Sequence, residues 1–132
     1  EVFKHASKKC KKNSTIGLLA TEGTLKTGIY NRFFDKKYNL IFPNIITQKK
    51  SVNRAIKFVK MGKVKEANIV IKPAVDYLIS KNCKKIILGC TELPIAIFAF
   101  KSFKKVKTSR IFLDPNLILA NSAMEKYKKN EI

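Results

Sequence analysis

Apolar positions along this chain follow two rhythms, and the rhythms alternate. Residues 14–20 (Ser-Thr-Ile-Gly-Leu-Leu-Ala), 38–42 before Pro43, 84–88 and 111–113 are short apolar runs with little polar alternation. Runs of that kind predict strands buried on both faces of a sheet. Between them the spacing turns helical. Leu25, Ile29, Tyr30 and Phe33 fall on one face of a helix, and residues 47–61 carry Val52, Ala55, Ile56 and Val59 in phase before Gly62. Residues 63–80 place Ala67, Val70, Ile71, Val75, Leu78 and Ile79 inward, with Pro73 expected to kink or split the helix. Residues 2–12 read as a polar helix, 93–100 as a short apolar segment and 101–108 as a basic loop. Asp114-Pro115 supplies the cap and first-turn proline of a final helix. Alternation of strand and helix predicts an α/β fold: a three-layer sandwich around a mostly parallel sheet with right-handed crossovers.

The run Ile86-Ile87-Leu88-Gly89-Cys90-Thr91-Glu92 places a cysteine just past a strand's carboxyl end. Ligands of open α/β sheets sit in the crevice outside those ends. Thr91 and Glu92 suggest a turn into a helix whose free N–H groups would favour the Cys90 thiolate and lower its pKa. An inert buried thiol is the competing reading, because cysteine often behaves as a small hydrophobe. The turn Ala20-Thr21-Glu22-Gly23-Thr24 should open on the same edge of the sheet. Its hydroxyls and N–H groups suit a carboxylate or phosphate, although threonine and glycine are also ordinary cap and turn residues.

At 132 residues the chain is one domain by length, able to bury roughly two thirds of its unfolded surface. Its longest apolar run, at 93–100, is far short of the roughly 20 residues of a membrane span, so no membrane association is expected. It opens Glu1-Val2-Phe3-Lys4 with neither Met nor a charged-then-apolar leader. The expectation is a protein without a signal peptide, begun inside a longer product. Cys10, Cys83 and Cys90 form no Cys-x-x-Cys pair, and His5 is the single histidine. That argues for a reducing, cytoplasmic setting and against a disulfide framework or a metal site. A net charge of +19 raises a nucleic-acid-binding module as an alternative. Against it, only Arg32, Arg54 and Arg110 of the 28 basic residues are arginine, and the lysine pairs are dispersed.

Gly17-Leu18-Leu19-Ala20-Thr21-Glu22-Gly23-Thr24 with Lys26, Gly28 and Tyr30, then Leu88-Gly89-Cys90-Thr91-Glu92-Leu93, then Leu113-Asp114-Pro115 with Leu119-Ala120, together resemble the aspartate/glutamate racemases over nearly the whole chain. Glutamate racemases tend to have His after Cys-Thr. Glu92 there is more similar to the aspartate racemase branch. The resemblance implies a flavodoxin-like lobe of a two-lobed enzyme, residues 1–112 being the second lobe and 113–132 a strand end and helix that would pack on the first. It implies catalysis without metal, pyridoxal phosphate or other cofactor. Two thiols would flank the Cα of a small acidic amino acid, one removing a proton and the other delivering one. By motif Cys90 resembles the second thiol; Thr91, Glu92, Lys60, Thr21, Gly23 and Thr24 would bind substrate or shape its loop, with Lys60 pairing the side-chain carboxylate.

The family's first cysteine stands in a Cys-Asn-Thr motif, whereas Cys10 is followed by Lys11-Lys12, and neither Cys10 nor Cys83 matches a role. The expectation is therefore a truncated or split racemase, impaired unless a second polypeptide or subunit supplies the missing lobe. A non-enzymatic remnant, with Leu117, Ile118, Ala120 and Met124 exposed on its terminal helix, is the other alternative.

Overall fold

A computed structural model of the chain describes residues 1–99, 103 and 110–130. The expected basic segment at 101–108, Phe103 apart, and the last residue of the 93–100 run lie outside them. Among the described residues the elements run α1 (Val2–Lys9), β1 (Thr15–Leu19), α2 (Glu22–Thr27), α3 (Ile29–Phe34), β2 (Asn39–Ile41), α4 (Ile45–Thr47), a π-helical segment (Gln48–Asn53), α5 (Arg54–Lys60), α6 (Val64–Ser80), β3 (Lys85–Leu88), α7 (Glu92–Phe98), β4 (Phe112–Leu113) and α8 (Pro115–Asn130). The strands form one sheet in the order β2-β1-β3-β4. Every pairing is parallel, with Leu19 beside Leu88 and Ile87 beside Leu113.

Strand side chains alternate between two cores, as the pleat requires. Leu19, Ile86, Leu88 and Phe112 face α5, α6 and α7, while Ile16, Leu18, Ile87 and Leu113 face α1, α3 and α8. The result is the three-layer α/β sandwich. Leu19, Ile86 and Leu88 have no exposed surface, and each contributes about 1.5–3 kcal/mol by leaving water. Gly17 lies on the α6 side of β1, where a Cβ would come within 2.8 Å of Leu78 Cδ1 and 3.2 Å of Cys83 Sγ. Its missing side chain lets α6 seat directly on the sheet.

Three expectations are corrected in detail. The helix drawn through Leu25 and Phe33 is two short helices, because Gly28 at φ +62° caps α2 in the left-handed region. Phe34 is consequently the buried residue of α3, while Ile29 and Phe33 are exposed. The helix expected at 47–61 starts instead at Ile45, where the Asn44 side chain accepts from the Thr47 N–H at 2.9 Å, and it widens into the π-helical segment.

Pro73 does not split α6, which is continuous from Val64 to Ser80. A proline disturbs the N–H to carbonyl ladder around it, and here Ser51 is inserted at the disturbance. Its hydroxyl donates to the Val70 carbonyl at 2.5 Å and its oxygen accepts from the Ala74 N–H at 3.2 Å. On α6, Asn68 and Ala74 join the buried face, and Ile79 is exposed. Asp114 caps α8 as expected, accepting from the N–H groups of Asn116 and Leu117. That helix touches the rest of the molecule at α1, through Ile118 and the Ser122 hydroxyl on Glu1, leaving Leu117, Leu119, Met124 and Tyr127 exposed. Among the described residues no helix is long and apolar enough to cross a membrane.

Candidate active site at the switch point of the sheet

The strand order sends the chain from β1 to one side of the sheet and from β3 to the other. Loops leaving adjacent strands in opposite directions open a crevice at their carboxyl ends. The loops here are Ala20–Thr24 and Gly89–Glu92. Gly89 draws them together: its N–H donates to the Leu19 carbonyl at 2.7 Å, and a Cβ there would lie 3.0 Å from Ala20 Cβ, 3.0 Å from Leu18 Cδ1 and 3.1 Å from Leu19 O.

Cys90 follows at once, half-buried and packed against the α5–α7 core. Its sulfur meets the backbone N–H groups of Leu93 and Glu92 as well as the Glu92 carboxylate. The expectation of a lowered thiol pKa is corrected. Burial dominates, the neighbouring Glu92 charge adds to it, and the two N–H groups do not compensate, so the thiol is pushed up to about 11.

Glu92 is the hub of the cluster. It accepts from the Thr91 hydroxyl at 3.0 Å and from the Cys90 thiol, and the Lys60 ammonium at the end of α5 stands 3.8 Å away. Burial pulls the Glu92 carboxyl upward, but its own N–H, Thr91, Cys90 and Lys60 outweigh that and hold it below its ordinary value. Across the crevice, Thr21 caps α2: its Oγ1 accepts from the Thr24 N–H at 3.2 Å and lies 3.1 Å from the Thr24 hydroxyl. Gly23 is exposed and its backbone makes no demand for glycine.

Four of the seven residues singled out from sequence, Cys90, Thr91, Glu92 and Lys60, thus share one contact network. Thr21 and Lys60 line a common cavity of about 420 Å³ with Glu22, Asn53, Ile56 and Lys57. Gly23 and Thr24 lie on that same turn but do not line the cavity.

A second polar chain, not anticipated from the sequence, lies behind the β1 end. The buried Gln48 side chain donates to the Ala20 carbonyl and to Asn53 Oδ1, each at 2.9 Å, and Asn53 donates to Glu22 at 2.8 Å. This braces the β1 end from the π-helical segment, a geometry frequent at functional sites. Its signal was legible: Gln48 and Ser51 are polar yet in phase with Val52, Ala55 and Ile56. Tyr30 is a further addition. Burial pushes its hydroxyl up, and the charge of the nearby Cys90 adds to that.

The family model described as Asp/Glu/Hydantoin racemase matches residues 1–123. The chain belongs to this racemase family. It is 34% identical over 103 residues to a protein of Pectobacterium carotovorum subsp. carotovorum described only as encoded in the pnlA 3′ region, covering 74% of this chain and 61% of that protein. It is 26% identical over 125 residues to a glutamate racemase of Persephonella marina and 25% identical over 125 residues to one of Carboxydothermus hydrogenoformans, covering 93% and 89% of this chain. The chain spans 43% and 42% of the length of those two racemases. The family match takes in both crevice loops, all four strands and the first half of α8.

Proposed function

We propose that these residues form one lobe of a cofactor-independent racemase for a small acidic amino acid, of the aspartate type, with Cys90 as the group that exchanges a proton with the substrate Cα. The observation that carries the reading is the contact between the Cys90 thiol and the Glu92 carboxylate at the switch point, in a chain of the racemase family. A thiol held near 11 is protonated at neutral pH, which suits proton delivery to a carbanion. For the reverse direction the thiol must first surrender its proton to solvent, since Glu92, held below its ordinary pKa, is the weaker base of the pair and serves to orient the sulfur. Cys90 then removes the Cα proton as thiolate and returns one from the same face.

The Lys60 side chain is mostly exposed and is free to move from Glu92 to a substrate side-chain carboxylate. Thr91, Thr21 and Thr24 supply hydroxyls for the α-carboxylate, and Gly23 lies on the turn that carries the last two. The aspartate branch is favoured by the resemblance that places Glu92 where glutamate racemases tend to have His. Inversion needs an acid on the opposite face. The proposal assigns that acid to a second lobe, on the same or another polypeptide, that completes the crevice.

The test is deuterium incorporation at Cα of L-aspartate in heavy water, read by proton NMR beside the optical purity. The 132 residues should exchange Cα slowly without inversion, and Cys90→Ala should abolish the exchange. Inversion by this chain unaided would overturn the division into lobes. Absent exchange, or exchange surviving in Cys90→Ala, would overturn the thiol assignment.

A further inference from the structure

A second concave site lies along the β4 edge, between α1 and α8 and away from the cysteine crevice. His5 and Lys9 of α1, Lys85 at the start of β3 and Arg110 ahead of β4 line a cavity of about 490 Å³ whose apolar wall includes Phe112, Leu113 and Ile118. Lys85 and Arg110 mark the amino-terminal end of the sheet, whereas Cys90 follows its carboxyl end. We propose that this cavity binds a small phosphate-bearing anion, with Lys9, Lys85 and Arg110 holding the phosphate oxygens and the apolar wall carrying the ligand's body.

Three features support it beyond the chain's general charge. The cations come from three separate elements and converge on one concavity, and among the described residues none of the three has an ion-pair partner. The one carboxylate in the lining, Asp114, is engaged in capping α8. The Lys85 ammonium is fixed by donation to the Arg110 carbonyl, which holds a charge at the cavity instead of leaving it to sweep through solvent. Fixed donors lose less freedom on binding an anion than free lysines do.

The field inside the cavity is also felt by its histidine. Burial, then Lys9, Lys8 and Lys85, hold the His5 imidazole below its ordinary pKa. The carboxylates of Glu1 and Glu125 face a neighbouring cavity that His5 also borders. A bound phosphate would cancel the lysine field, and His5 is the chain's single histidine, so one imidazole titration reads that change with no other ring overlapping it.

Pyrophosphate is the probe, titrated at about physiological salt to suppress diffuse attraction. Expected are a saturable isotherm, an upward movement of the His5 titration in the proton NMR spectrum, and affinity at least about tenfold weaker in the double variant Lys85→Ala/Arg110→Ala, the loss of one charge-assisted hydrogen bond. A control double variant at exposed lysines elsewhere, Lys36→Ala/Lys50→Ala, should bind as the parent does. Equal weakening in both variants, a His5 titration unmoved at saturation, or no saturable binding would each overturn the proposal. Adenosine diphosphate binding more tightly than pyrophosphate would assign the apolar wall to the ligand's body, and equal or weaker binding would remove that part. The cavity and the cysteine crevice share no residue, so neither result bears on the racemase reading.

Discussion

Two cysteines bracket β3, and burial pushes both sulfurs to about the same pKa amid very different neighbours. Cys83 precedes the strand, 6% exposed, inside the aliphatic layer beneath α6. Burial raises its thiol pKa to about 11. Cys90 follows the strand and also reaches about 11, but there burial is joined by the charge and hydrogen-bond acceptance of the Glu92 carboxylate and opposed by two backbone N–H groups. A shifted pKa therefore does not mark a functional thiol by itself. The polar groups within reach of the sulfur do, because they orient it and tune its charge.

Each thiol also has a glycine beside it, Gly17 at one end and Gly89 at the other, and their replacement should separate the two ends most strongly. A Cβ at Gly89 presses on the Leu19 carbonyl and on Ala20, whose positions the β1–β3 pairing dictates. Gly89→Ala should cost about 3 kcal/mol in urea unfolding. At Gly17 the nearest atom is the far end of the Leu78 side chain, and Gly17→Ala should cost about 1.5 kcal/mol. A reversed order would mean that the crevice loops are not pinned by the sheet.

Serine substitutions come next in size. Cys83→Ser puts a hydroxyl among aliphatic side chains and should destabilise by about 2 kcal/mol. At Cys90 the same hydroxyl inherits the Glu92 carboxylate and the Leu93 N–H, and less than about 1 kcal/mol should be lost. Equal costs at the two positions would show Cys90 to be a core thiol like Cys83.

The smallest effect concerns reactivity. Glu92 raises the Cys90 thiol both by its charge and by accepting its hydrogen bond, so Glu92→Gln should lower that pKa and shift the pH profile of alkylation to lower pH. At about pH 8 peptide-resolved labelling by iodoacetamide should speed up about threefold at Cys90 and stay unchanged at Cys83. An unchanged Cys90 rate would remove Glu92 as its proton partner.

Much of the architecture was legible before any coordinates. Ile86-Ile87-Leu88 and Ile16 to Leu19 are apolar without alternation, and a strand covered on both faces by helices can be built from little else. Their polar successors, Thr21 to Thr24 and Thr91-Glu92, had to fall at the carboxyl edge once the sheet was parallel. The face drawn through Leu25 and Phe33 failed for a local reason, since Gly28 in the left-handed region resets the helical phase and turns Phe34 inward. That Gln48 braces Ala20 and Asn53 braces Glu22 is not legible in the sequence, because those residues meet the turn after β1 across 28 to 31 positions.

From the order of its residues alone, this chain's alternation of strand and helix and the placement of Cys90 beyond a buried strand follow, because periodicity and capping are local properties. The electrostatic state of that sulfur does not. Its pKa is set first by how deeply the helices packed on that face of the sheet bury it, outweighing the two N–H groups of its own turn, and desolvation exists only once the chain has closed on itself.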